Sequence, residues 1–351
     1  MGPLVEVSNP RRAETNHTQP RPLPRESDAI RRILVCVDHS HLSESCLQHA
    51  VAVSKSLGSA ITLLYVMQPA VDRSGLHTAD AVEWEIARQE ASAYLERLEK
   101  DGTRASGRQV GTRLEQGHPA ERITAVAREL DADLTVLGSQ GEHGVAAWNL
   151  GSTVLQVLAV TRGSVLIARP TSSATSDVSP KRILVPLDGS RRTECVLPTA
   201  VRIARENHAE LLLALAVREP TATAILRAPE DLAIAEDLAR RIEVGGKRYL
   251  EDLRGQLVRE GAIVRTLVLR STDDKQALLE LSEKEGSDLI IASAHGSTCN
   301  PKVTFGGVTA YLLTHARASL LVLQDLRDSE LRGKTSEPPA PPLRASYPEG
   351  V

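Results

Sequence analysis

Two stretches of this 351-residue chain carry residue types suited to holding an anion. One is the glycine-rich run Gly138-Ser139-Gln140-Gly141-Glu142-His143-Gly144, which continues to Asn149-Leu150-Gly151-Ser152-Thr153. The other is Asp38, directly after the apolar run Ile33–Val37. Glycine lets a backbone turn tightly and approach a phosphate with no Cβ in the way. Gly151-Ser152-Thr153 reads as a helix N-terminus, where free N–H groups, partial positive charge and two hydroxyls favour an anion. A carboxylate at 38 can accept from a ribose hydroxyl or an adenine amino group. The pattern Gly-x2-Gly-x9-Gly-Ser is neither a Walker A motif, which needs Gly-Lys-Ser/Thr, nor the GxGxxG dinucleotide fingerprint. Plainer readings exist: a structural strand-to-helix connection for the loop, and a helix N-cap for Asp38. Ser40 or Ser43 can serve as that cap, which leaves Asp38 for a ligand.

The elements that must position these residues come from an internal repeat. Residues 31–40 (RRILVCVDHS) return at 181–190 (KRILVPLDGS), an offset of 150. Ser164–Arg169 likewise matches Ser319–Gln324. A period this long is a duplicated domain, not a solenoid. In the first unit, strands are expected at Ile33–Val37, Ile61–Val66, Val110–Glu115 (a sheet edge), Leu134–Leu137 and Val165–Ala168. Helices are expected at Ser43–Leu57, about His77–Lys100, from Pro119, and Gly151–Thr161. In the second unit the strands lie near Ile183–Leu187, Leu211–Val217, Ile263–Leu269, Leu289–Ala292 and Leu320–Leu323. Its helices lie near Thr193–Asn207, Asp231–Glu260, Asp274–Glu285 and Gly307–Ala316. Pro198 bends or starts the first of these, and Gly245-Gly246 is a candidate break in the second. Strand–helix alternation predicts an α/β fold: two Rossmann-like or flavodoxin-like open parallel five-stranded sheets in tandem. Ligands of such sheets bind outside the carboxyl ends of the strands. The expected organisation is a disordered tail (1–29), domain one (30–170), a linker (171–180), domain two (181–324) and a disordered Pro-rich tail (325–351).

Composition narrows the functions. Charges nearly balance, with 42 basic and 45 acidic residues, so a nucleic-acid-binding face is not expected. Only 2% of residues are aromatic, which argues against base-stacking platforms and predicts an aliphatic core. The four cysteines form no CxxC pair, so neither a disulfide framework nor a zinc knuckle is expected. Apolar runs are of strand length, and residues 1–29 lack an apolar signal region, so a cytoplasmic protein off the membrane is expected. His39, His41, His118 and His143 show no metal-ligand spacing and read as surface histidines. Cys36 and Cys46 read as small core residues, and Cys299 as an exposed thiol. Trp84 and Trp148 are candidates for exposed hydrophobic contacts or for covering the interface between the units. No catalytic set emerges: between 138 and 153 there is no Lys or Arg to meet a transferred phosphate.

The starts at 33–40 and 183–190, Asp133–Gly138 and the loop of residues 138–152 together resemble a tandem universal stress protein of the UspA family. The resemblance covers about 30–170 and 180–324. It implies strand order 3-2-1-4-5 in each unit, pairing through the fifth strands and, for the glycine-loop type, ATP binding. By motif position, Asp38 and Val66 would hold adenine and ribose. Leu137, Gly138, Ser139, Gly141, Gly151, Ser152 and Thr153 would wrap ribose and phosphates. Val37, Val66 and Leu137 are the aliphatic residues expected to flank the base. The implied cofactor is ATP or a related adenine nucleotide, with Mg2+ at most carried by the nucleotide and no protein metal site. The two units would form an internal pseudo-dimer, with a homodimer and an unidentified protein partner as further expectations. In the second unit Asp188, Gly296 and Gly306 persist, but Ser293 replaces Gly138 and Gly307 replaces Ser152, so weaker or no nucleotide binding is expected there. A stress-response sensor or interaction protein is the expected function. The alternatives are a slow ATP hydrolase or nucleotidyl-transfer enzyme, and a nucleotide-free scaffold.

Overall fold

The structure, a computed structural model, describes residues 30–68, 81–140, 150–170, 179–219, 229–298 and 303–325. Gly141, His143, Trp148, Cys299, residues 1–29 and 326–351 and most of the linker lie outside the described residues; Asp325, expected in the disordered tail, is instead bonded to His295 and Arg192.

The first unit runs β1 (Arg32–Val37), α1 (His41–Leu57), β2 (Ala60–Met67), α2 (Ala81–Ser106), β3 (Gly111–Gln116), α3 (Pro119–Glu129), β4 (Leu134–Gly138), α4 (Ser152–Val160) and β5 (Ser164–Ala168). The second runs β6 (Arg182–Leu187), α5 (Arg191–Glu194), α6 (Leu197–Asn207), β7 (Glu210–Arg218), α7 (Pro229–Arg259), β8 (Ile263–Ser271), α8 (Asp274–Lys284), β9 (Leu289–Ser293), α9 (Gly307–His315) and β10 (Ser319–Leu323). Pro119 stands at the start of α3 as expected, where its missing N–H costs nothing. Pro198 starts a helix rather than bending one: α5 is a single short turn, and α6 begins at Leu197.

Two expectations are corrected. The strands form one ten-stranded sheet, in the order β3-β2-β1-β4-β5-β10-β9-β6-β7-β8, not two five-stranded sheets. Each half keeps the order 3-2-1-4-5, and β5 and β10 join the halves antiparallel, with Leu321 opposite Leu166. The physical reason is burial: Val165 to Ala168 and Leu320 to Val322 are at most 1% exposed, and an open edge of such residues would leave apolar surface and unpaired backbone in water. The join is symmetric. Ser319 Oγ accepts from Arg169 N at 3.1 Å, and Ser164 Oγ accepts from Gln324 N at 3.1 Å. The second correction concerns Gly245-Gly246, which does not break α7; the helix runs through both. Gly246 is buried, and a Cβ there would lie 3.0 Å from Leu215 Cδ2, so close helix-to-sheet packing explains it.

Each face of the sheet carries one apolar core that runs through both halves. On one face α1, α2, α6 and α7 pack on Ile33, Val35, Val37, Ile183 and Val185. On the other, α3, α4, α8 and α9 pack on Leu34, Leu64, Leu184 and Leu212. Alternate residues of a strand point to opposite faces, so both cores draw on the same strands. The core is aliphatic, as the composition predicts.

Candidate functional site

The loops after β1 and β4, with the start of α4, sit at the carboxyl ends of the first half's strands. Asp38 leaves β1 and is held by its neighbours. Its Oδ1 accepts from Ser40 N at 2.9 Å and from the Ser43 hydroxyl at 2.8 Å. Its own N–H donates to Ser43 Oγ at 2.7 Å. Ser40 occupies the N-cap position of α1 but makes no side-chain cap bond. The Tyr94 hydroxyl reaches over from α2 and donates to the Asp38 carbonyl at 2.6 Å. His39 packs on Tyr94 and Tyr65, with ring centroids 4.6 and 5.3 Å apart. Arg97 lies 5.3 Å from the Tyr94 ring centroid.

Sequence reasoning missed this aromatic trio. His39, Tyr65 and Tyr94 are brought together only because β2 lies beside β1 and α2 packs over β2 and against α1. Ser43 was the more legible signal, since the hydroxyl five residues after the aspartate recurs as Thr193 after Asp188.

At the end of β4, Ser139 N donates to Ala168 O at 2.9 Å, and Gly151 N donates to Ser139 O at 2.8 Å. The two ends of the loop are thereby pinned together at the first turn of α4. Ser139 is 0% exposed, and its hydroxyl has no hydrogen-bond partner. A buried orphan hydroxyl costs about 1–3 kcal/mol, so its persistence needs a reason. Gly151 caps α4 in an extended conformation with no side-chain cap bond and no acidic residue in the first turn. Ser152 is exposed and Thr153 half-buried. An uncapped helix start of this kind favours an anion.

The aliphatic residues do not all meet. Val66 and Leu137 belong to the α3/α4 face, whereas Val37 is buried on the α1/α2 face. Gly138 is also explained differently from the expectation. A Cβ there would meet Leu42 Cβ and Gln140 O at 3.2 Å and Cys46 Sγ at 3.5 Å, so tight packing against α1 already favours glycine. Burial raises the Cys36 and Cys46 thiols far above the ordinary range, with the Asp38 charge adding to both and Cys46 adding at Cys36, so both are unreactive. No cluster of three His, Cys, Asp or Glu side chains able to hold a metal occurs among the described residues.

The second half has the same frame with a different filling. Gly306 N donates to Ala294 O at 2.7 Å, as Gly151 does to Ser139. Asp188 Oδ1 accepts from Ser190 N at 2.9 Å and Thr193 Oγ1 at 2.8 Å. Its Oδ2, however, takes the N–H of Ser297 at 2.7 Å. Burial works against the Asp188 charge, but hydrogen bonds from Ser190, Ser297 and Thr193 outweigh it and hold the pKa below the usual range. Ser293 Oγ donates to His295 O at 2.6 Å, so its side chain is used inside the loop.

Comparison with known proteins follows the same division. The model of the family described as "Universal stress protein family" matches residues 29–169 and again 180–324. A Staphylococcus aureus (strain USA300) protein whose name places it among the universal stress proteins is 30% identical over 152 residues, covering 43% of this chain and 90% of that protein. Among solved structures, a universal stress protein from Archaeoglobus fulgidus DSM 4304 aligns with a TM-score of 0.57 at 18% identity, covering 84% of this chain and 96% of that one. A functionally unknown protein from Pseudomonas aeruginosa PAO1 aligns with a TM-score of 0.58 at 16% identity, covering 87% and 96%. At these identities the two structures speak to the fold alone.

Proposed function

The chain belongs to the universal stress protein family, and from that premise we propose that its first domain binds ATP or a related adenine nucleotide and acts as a nucleotide-dependent stress-response sensor or interaction protein. The observation that carries this reading is the Ser139 hydroxyl, buried and unpartnered at the root of the glycine loop. A ligand oxygen delivered to that loop would satisfy it. Asp38, preset by Ser40, Ser43 and Tyr94, suits recognition of ribose or the adenine amino group. Val66 and Leu137, on one face of the sheet, suit the apolar flank of the base. Gly138, Gly141 and Gly151 let the backbone come close to the phosphates, and Ser152 and Thr153 supply backbone and hydroxyl donors at the start of α4. Mg2+ would arrive with the triphosphate, neutralising its charge, and the protein's own part is to hold and orient. Donors of this kind suit retention rather than phosphoryl transfer, which draws on cations placed at the moving phosphate. Thiols such as Cys36 and Cys46, held outside any disulfide, fit a reducing, cytoplasmic setting.

Calorimetric titration of the full chain with ATP, ADP, AMP and cyclic AMP tests the reading, with Ser139→Ala as the diagnostic variant. The expected result has two parts. Nucleotide affinity falls several-fold, while the ligand-free protein gains up to about 1 kcal/mol of stability because an orphan hydroxyl is gone. Unchanged affinity in Ser139→Ala, or no heat with any of the four nucleotides, would overturn it.

A further inference from the structure

The second domain contains a side-chain cluster that neither its fold nor the proposed function requires. Asp325, just past β10 and 1% exposed on its side chain, accepts from the backbone N–H of His295 at 2.8 Å and lies 2.9 Å from His295 Nδ1. Its second oxygen pairs with Arg192 Nη1 of α5 at 3.0 Å. His295 Nε2 lies 2.9 Å from the Val303 carbonyl, so both ring nitrogens face acceptor oxygens. A second carboxylate acts on the same loop. Asp188 Oδ2 takes the Ser297 N–H, and a Cβ on Gly296 would sit only 2.6 Å from that oxygen. The loop root is tied down as well, with Thr309 Oγ1 donating to Ser293 O at 2.8 Å.

All three members of the cluster are peculiar to this repeat. Arg192 stands where the first domain has Leu42, His295 where it has Gln140, and Asp325 where it has Pro170. The frame is duplicated; the charges are not.

We propose that the loop of the second domain is closed from within: the carboxylates of Asp325 and Asp188 take the backbone N–H groups of residues 295 and 297, so that this domain holds two anions of its own in place of an external one. Closure follows from saturation. The N–H groups of residues 295 and 297, already bonded to carboxylates, have nothing left for a phosphate, and displacing the buried carboxylate of Asp325 leaves a charge to be compensated. The chain then offers one ligand loop, not two. Asp325 also ties residue 325 to α5 through Arg192. The inference is independent of whether the first domain binds nucleotide.

Amide hydrogen exchange on the full chain, read by mass spectrometry for the wild type, Asp325→Ala and Asp188→Ala, with and without ATP, tests it. In the wild type, residues 293–298 are expected to exchange as slowly as β9. In either variant they should exchange about tenfold faster or more, the scale of one lost hydrogen bond to a charged acceptor. β10 and residues 134–140 should stay unchanged. Adding ATP should leave 293–298 as they were. Free exchange of 293–298 in the wild type, no change in both variants, or slowing of 293–298 by ATP would each overturn the proposal. Should Asp325→Ala fail to fold, Asp325→Asn keeps the volume, removes the charge and reads out the same segment. ATP without effect on residues 138–140 would count against nucleotide binding in the first domain and leave this closure standing.

Discussion

The roots of the loops that follow β4 and β9 share one backbone frame and carry different side chains. In both, the first residue of the following helix region reaches back to the loop root, through Gly151 to Ser139 and through Gly306 to Ala294. In the first domain the root keeps a buried hydroxyl with no partner. In the second the same position is Ala294, and two carboxylates occupy the loop's donors. One copy retains unused hydrogen-bonding capacity, and the other has spent it on itself. Duplication preserved what packing needs, and the copies diverged where an anion would sit.

The sharpest way to break this comparison is to remove the two aspartates in turn. Asp38→Ala is expected to weaken ATP binding about tenfold or more, the scale of a lost bond to a charged group. Asp188→Ala should leave affinity unchanged, and calorimetry on both variants separates the two domains. Equal losses would mean that both loops bind.

Backbone crowding provides the next largest effect. Gly296→Ala forces a Cβ against Asp188 Oδ2 at 2.6 Å, whereas Gly138→Ala meets its nearest neighbours at 3.2 Å. Thermal or denaturant unfolding should show a loss of about 1–3 kcal/mol for Gly296→Ala and a smaller one for Gly138→Ala. The reverse order would indicate that the second loop is the looser of the two.

A pH series follows. The Asp188 pKa is depressed in the fold, so its contribution to stability is present above the ordinary carboxylate range and is lost as pH falls through its native value. Stability of the wild type should therefore decline in acid more steeply than that of Asp188→Asn. Parallel acid limbs would rule out a charged, bonded Asp188.

The smallest effect distinguishes the paired helices α2 and α7. Gly245 has nothing within 4 Å of its Cβ position, so Gly245→Ala should stabilise by about 0.5–1 kcal/mol through helix propensity. Gly246→Ala has the same propensity gain, but its Cβ meets Leu215 Cδ2 at 3.0 Å, so the gain should vanish. Ala91 stands at the matching position of α2, three residues before Tyr94 as Gly246 is before Tyr249. Equal gains at 245 and 246 would show that Leu215 yields freely.

Much of the fold was legible along the chain because its signals are local. Apolar runs such as Ile33–Val37 and Leu211–Val217 mark strands buried on both faces, and Pro119 marks a helix start. The repeated Ile-Leu-Val-x-x-Asp-x-Ser start and the Gly-x2-Gly-x9-Gly-Ser loop marked the candidate site at residues 38 and 138–153. The aromatic trio around Asp38 was not legible, because 29 residues separate Tyr65 from Tyr94 and no spacing rule links them. Gly246 was misread because a glycine pair usually signals a break, and only the approach of Leu215 gives it another purpose.

The sequence by itself determined that one α/β unit occurs twice, that its core is aliphatic, and that the first copy keeps a glycine loop and an aspartate which the second retains only in part. Tertiary structure alone decided that the two sheets are one, that Val37 and Leu137 face opposite cores, and that Asp325 closes the second loop on His295 and Arg192. The physical reason is the range of each signal. Propensity and periodicity act between near neighbours, whereas the pairing of buried edges and the satisfaction of buried charges join residues 30 to more than 100 apart, and only the folded chain can bring those together.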